Sequence, residues 1–135
     1  MRTIKFRAKS LCKGEDWVYG DLVHYNRNPH TEKWTIHEPD TGIGTDIDET
    51  TIGQYTGLTD LYGKEIYEGD IIRSYGTYGD EIKHVIRYYE KQAAFFVFIN
   101  IRDVEDEAGK ITQSWIDEFQ KEVIGNVHDN KNLIL

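Results

Sequence analysis

The run AAFFVFINI, from Ala93 to Ile101, is apolar at both parities of any strand it forms. Strand side chains alternate between the two faces of a sheet, so such a run fits a strand covered on both sides. It is far too short to span a bilayer as a helix. Left exposed, it would be a template for aggregation. It is therefore placed as a central strand, and the rest of the chain has to supply its neighbours.

Those neighbours are legible as alternations. Ile4, Phe6 and Ala8 alternate with Lys5, Arg7 and Lys9, the period of a half-buried strand. Trp17–Tyr25 and Lys33–His37 read as two further strands, with Gly20 a candidate bulge and the Asn26–His30 segment a turn around Pro29. Together the three predict an antiparallel meander. After the loop Glu38–Thr45 and the acidic stretch Asp46–Thr50, the block TIGQYTGLTDLYGKEIYEGDII (Thr51–Ile72) carries four glycines and reads as tight turns holding short extended pieces. Ile71–Tyr75 and Glu81–Tyr89 are strands, and in the second Ile82, His84, Ile86 and Tyr88 share a face. Asp103–Lys110 reads as an acidic surface loop. Trp115, Ile116 and Phe119 fall at helical spacing within Thr112–Lys121, with Thr112 or Ser114 as N-cap. Glu122–Val127 is a last long strand, and Leu133–Leu135 an added edge.

The fold expected is mainly β, a β-rich α+β chain. An N-terminal antiparallel meander precedes a C-terminal SH3-like small barrel with one short helix. At 135 residues, without a linker or an internal repeat, the chain is read as one domain. Its parts are a β-rich segment of about residues 1–50, a turn-rich segment 51–70 and a barrel-like segment 71–135. An aromatic content of 13% argues against disorder, which is poor in such residues. The single cysteine, Cys12, allows no internal disulfide, and the N-terminus shows no apolar signal core, so a cytoplasmic location is expected.

The net charge of -8 is uneven. Residues 1–35 carry seven Lys and Arg against four Asp and Glu, residues 36–70 one against nine, and residues 71–135 eight against eleven. An acidic total disfavours a coat for DNA or RNA, which needs clustered cations, but leaves room for a local basic patch. Lys5, Arg7 and Lys9 point one way on their strand, and Trp17, Tyr19 and Trp34 lie on strands that neighbour it. Cations interleaved with aromatics suit single-stranded nucleic acid. The competing and favoured reading is an edge strand guarded by its charges.

Other chemistry is poorly supported. Gly42-Ile43-Gly44 lacks the Lys and hydroxyl of a phosphate loop. His24, His30, His37, His84 and His128 lack zinc-site spacing, although His24 and His37 could meet across strands. Asp46, Asp48 and Glu49, close to Asp40, miss the calcium-loop pattern and read as a solvated loop. Cys12 has only Lys9 and Lys13 near it in sequence and reads as incidental. No metal or other cofactor is expected.

The block Thr51–Ile72, together with IKFRA (Ile4–Ala8), WVYGDL (Trp17–Leu22) and EVIGNVHDN (Glu122–Asn130), strongly resembles the YopX family of phage and prophage proteins. The resemblance runs in order along nearly the whole chain, with Ser74–Lys121 carried by position alone. It implies a small β-rich protein encoded by temperate phages, and it brings no established activity or catalytic residue. The block also has a purely structural explanation. Gly53, Gly57, Gly63 and Gly69 suit turns, Asp60 and Asp70 cap them, and Ile66, Ile71 and Ile72 fill a core. Tyr55 and Tyr67 stay open between core and surface.

Three functions compete. The first is a non-enzymatic accessory protein that binds a host or phage protein or itself, favoured by abundant Tyr and Trp. The second is a nucleic-acid-binding SH3-like module. The third, by fold analogy alone, is a PemK-like endoribonuclease with Arg73 or Arg87 near Glu90 stabilising a phosphate. No membrane partner is expected.

Overall fold

The computed structural model describes residues 1–12, 14, 16–25, 32–99, 107–118 and 120–134. The chain is mostly β, and its described residues form two antiparallel sheets and one α-helix. It divides into two compact units, residues 1–55 and 56–135.

The first unit is built on β1 (Phe6–Lys9), β2 (Trp17–Tyr25), β3 (Lys33–His37), β4 (Gly44–Asp46) and the start of β5 (Gly53–Thr59). The expected meander is present: β1 pairs with β2, and β2 with β3. Two features depart from the sequence reading. β1 also pairs with β5, Arg7 opposite Gly53, so it is an interior strand and its cations do not guard an edge. The segment read as loop and acidic stretch contributes a true strand, β4, pairing Thr45 with Ile36. Gly20 sits where β2 changes partner from β1 to β3, and a Cβ there would meet the His37 carbonyl oxygen at 2.2 Å. Close backbone approach, not a bulge, is what this glycine allows. Ala8, Val18, Ile36 and Ile47 form the buried cluster, with Phe6, Leu22, Trp34 and Ile52 packed around it. The turn expected at Asn26–His30 lies outside the described residues.

The second unit takes in the end of β5, β6 (Glu65–Tyr67), β7 (Asp70–Tyr75), β8 (Glu81–Tyr89), β9 (Ala94–Phe98), β10 (Glu107–Lys110), α1 (Gln113–Asp117) and β11 (Glu122–Asn126). Its five-stranded sheet has the order β10-β9-β8-β7-β11. The apolar run is indeed interior, flanked by β8 and β10. Ile72, Ile86, Val97, Ile116, Val123 and Ile66 bury one face. On the other parity Ile71, Val85, Phe96 and Phe98 are buried too, with Tyr89 edge-on to Phe96 at 5.1 Å. That double burial explains why Phe96, Val97 and Phe98 are apolar on both faces.

Residues 107–110 of the expected acidic loop form β10, paired with β9 across a register shift. Leu133 ends a 3-10 turn, Lys131–Leu133, and adds no sheet edge; Leu135 lies outside the described residues. The helix begins as expected, Thr112 Oγ1 accepting from the Trp115 N–H, but is only five residues long. It stops where Glu118 turns extended, at φ -79° and ψ 126°, and Lys121 Nζ donates to the carbonyls of Trp115 and Glu118, closing the helix end with a side chain. Phe119, expected on its apolar face, lies outside the described residues.

Candidate functional site

The cations of β1 meet aromatic rings, as their shared parity requires. Lys5 Nζ lies 5.1 Å from the Tyr55 ring centroid on β5, and Lys9 Nζ 5.7 Å from that of Trp17 on β2. The Arg7 guanidinium sits 4.7 Å from the same Trp17 ring, and its side chain is buried. Lys9 also reaches Asp16 at 3.8 Å. Tyr19, opposite Arg7, is exposed. The six residues Lys5, Arg7, Lys9, Trp17, Tyr19 and Tyr55 thus share one face. Trp34 does not join them: it stands opposite His24 and packs against the core cluster of the other face. Its ring stacks on His24 at 3.8 Å, nearly parallel. A site that stacks bases needs open aromatic faces and reachable cations. Here the cations are turned onto the protein's own rings.

A cleft of about 650 Å³ opens in the same unit, between the start of β3, the end of β4 and the residue that follows the Ser10 bridge. Among the described residues, Leu11, Trp34 and Ile47 are its apolar lining, and Glu32, Asp46, Asp48 and Glu49 its carboxylates, with Lys33 the cation beside them. Asp46 pairs with Lys33 at 2.9 Å and Glu32 with His24 at 2.7 Å. Asp48 caps the following 3-10 turn, accepting from the Thr50 N–H and hydroxyl. Among the described residues, no three His, Cys, Asp or Glu come together to hold a metal ion. His24 and His37, a pair the sequence left open, do not meet, since His37 stands opposite Asp21.

A third cluster escaped the sequence reading. Ser74 Oγ and His84 Nε2 are 2.7 Å apart inside the second unit. His84 lies edge-on to Trp115 at 5.0 Å, and Lys121 Nζ sits 4.4 Å from the same ring's centroid. Burial, and secondarily the Lys121 charge, push the His84 pKa down to about 4, so the ring is neutral near pH 7. Burial also lowers the pKa of Lys121. Ser, His and Lys together resemble nucleophilic machinery. All three side chains are buried, however, and His84 Nδ1 has no partner among the described residues to orient it. The signal for this pair was available: Ser74 and His84 fall on the core parity of β7 and β8, beside Ile72 and Ile86.

The turn-rich block is a scaffold. Asp60 is buried and accepts three backbone N–H groups, those of Tyr62 and Lys64 on Oδ1 and that of Val123 on Oδ2. Asp70, also buried, accepts the Tyr67 N–H at 2.8 Å. Gly63 and Gly69, at φ 79° and 92°, supply the left-handed residues these turns require. Gly53 is no turn residue; it lies within β5 opposite Arg7. Tyr67 is core, and Tyr55 is a half-buried partner of Lys5.

The two arginines weighed as alternatives for phosphate chemistry sit apart on the sheet. Arg73 forms an ion pair with Glu122, its register partner on β11. Arg73 stands opposite Lys83 on β8, so Arg87 is four residues along that strand, roughly 13 Å away at strand rise.

A family model described as YopX protein matches residues 5–135. No curated protein matches the chain. Among solved structures, the crystal structure of protein EF1440 from Enterococcus faecalis is similar over 100% of both chains, with a TM-score of 0.59 and 24% sequence identity. That likeness concerns the fold.

Proposed function

We propose, from the premise that this chain belongs to the YopX protein family, that it is a phage- or prophage-encoded accessory protein that acts by binding another protein. The observation that carries this reading is the cleft beside Trp34, where exposed Leu11 and half-buried Trp34 open to water at the margin of the core cluster that holds Ile47. Leu11 is 67% exposed there. Apolar surface left open beside charge is what an interface with another protein covers. Exposed Tyr62 and Tyr78, at the tips of two hairpins, extend the stock of interface-type residues.

The rival readings lose support at named atoms. For nucleic acid, Arg7 is buried against Trp17 and Lys9 faces Asp16. For an endoribonuclease, Arg73 is engaged by Glu122. The SH3-like description of the second unit belongs to the same proposal: α1 precedes β11, and β11 lies beside β7. Work inside the bacterial cell is part of it too; no helix among the described residues is long and apolar enough to cross a membrane.

The test is purification of the full chain, with light scattering before and after nuclease treatment, followed by affinity capture from the bacterial host. The expected result is a nucleic-acid-free protein that either exceeds the 15.8 kDa monomer mass or retains a stoichiometric protein partner. A strict monomer that retains no protein, or material that carries RNA or DNA, would overturn the reading.

A further inference from the structure

The chemistry of the cleft is narrower than that of a generic protein contact. Among the described residues that line it there are four carboxylates and one ammonium. Three of them already have partners: Glu32 with His24, Asp46 with Lys33, and Asp48 with Thr50. Glu49 is exposed, and its side chain has no partner among the described residues. The carboxylates are spread along the opening and do not close on a common point, so they do not form a metal site. A spread anionic rim over an apolar floor matches an organic cation on an aliphatic stem. Lysine and arginine side chains bury such stems while their charged heads stay near water. A volume of about 650 Å³ lies within the range of sites that enclose whole ligands, with room for a side chain and its flanking backbone. The chain's net charge of -8 adds long-range attraction for the same class of partner.

We infer that this cleft is the docking surface for an extended basic segment of a partner protein, with a lysine or arginine stem lying along Leu11 and Trp34 and its charge beside Glu49. The inference rests on the protein-binding reading above and names the partner's chemistry. Glu49 selects charge, and Leu11 supplies apolar contact. Both are exposed, so replacing them leaves the core cluster intact.

The experiment uses the full chain and three probes: a short synthetic peptide alternating lysine and leucine, a matched peptide with glutamate for lysine, and spermidine. Binding is followed by titration calorimetry, with circular dichroism as the check on folding. The lysine peptide is expected to bind and the glutamate peptide not to. Glu49→Lys is expected to weaken binding about tenfold or more, since it places like charges together. Leu11→Ser is expected to weaken it several-fold. Equal binding of both peptides, unchanged affinity in both variants, or spermidine binding as tightly as the lysine peptide would overturn the assignment. The two readings fail separately. A cellular partner retained equally by the wild type and both variants removes the cleft but leaves protein binding standing. Specific peptide binding without any cellular partner or self-association does the reverse.

Discussion

The guanidinium of Arg7 lies 4.7 Å from the centroid of the Trp17 ring, and the Arg7 side chain is only 5% exposed. A cation placed so is an internal component of the sheet. Its attraction to the ring is strengthened by the loss of water, to about 2 kcal/mol for a desolvated pair.

Arg7→Ala is therefore expected to lower stability by on the order of 2–3 kcal/mol, through the lost ring contact and lost packing. Lys5→Ala, at a half-buried lysine over Tyr55, is expected to cost well under half of that. Urea unfolding of the two variants beside the wild type checks the difference. Equal, small losses would mean that Arg7 is not a structural cation, and would reopen nucleic acid as its ligand.

Asp60 holds three backbone N–H groups at once. Asp60→Ala leaves them without their acceptor and is expected to cost on the order of 3 kcal/mol. Asp60→Asn keeps one carbonyl oxygen but turns an NH₂ group toward donors, so an intermediate loss is expected. Thermal unfolding ranks the pair, and a neutral Asp60→Ala would refute the scaffold role of the turn block.

His84 is neutral and buried in the fold, with its pKa lowered to about 4 from 6.5. The unfolded chain then binds more protons between those two pH values. Stability contributed by this ring is fully present above about pH 6.5 and is lost as pH falls toward 4, by on the order of 3 kcal/mol in all. Denaturant unfolding between pH 7 and 4 is expected to show this slope, and His84→Gln to flatten it. An unchanged slope in the variant would assign the acid sensitivity to carboxylates.

Lys121 joins two of these features, because it closes the end of α1 and also depresses the His84 pKa. Lys121→Met keeps the stem and removes both the donors and the charge. The expected loss is about 1–2 kcal/mol, with the His84 titration moving to higher pH. Proton NMR of the imidazole follows the second effect, and a titration that stayed in place would show that burial alone sets it.

Much of the fold was written locally. Phe6 and Ala8, Trp17–Tyr25 and Glu81–Tyr89 carry a period of two, and that period survives folding because successive side chains of a strand point to opposite faces of its sheet. The turn block was legible for a similar reason, since Gly63 and Gly69 mark left-handed positions and Asp60 and Asp70 reach nearby N–H groups. β4 and β10 were missed because both are short and polar, and neither carries a pattern of its own. They are strands only because β3 and β9 offer unpaired edges to them. The helix was overextended because spacing cannot foresee that Lys121, beyond the apolar positions, would cap it.

The candidate surfaces divide along the same line. Sequence alone put Lys5, Arg7 and Lys9 on one side of a strand, a consequence of local backbone geometry. That β1 is interior, that Arg7 is buried against Trp17, and that Trp34 faces the other way depend on registers with β2, β3 and β5. The cleft brings Leu11 and Trp34 together with Asp46–Glu49. Sequence determined which residues alternate, turn and bury, because those preferences act over a few neighbouring residues. Only tertiary structure decided which charges were paired and which were left exposed, because pairing is fixed by contacts between segments distant in the chain.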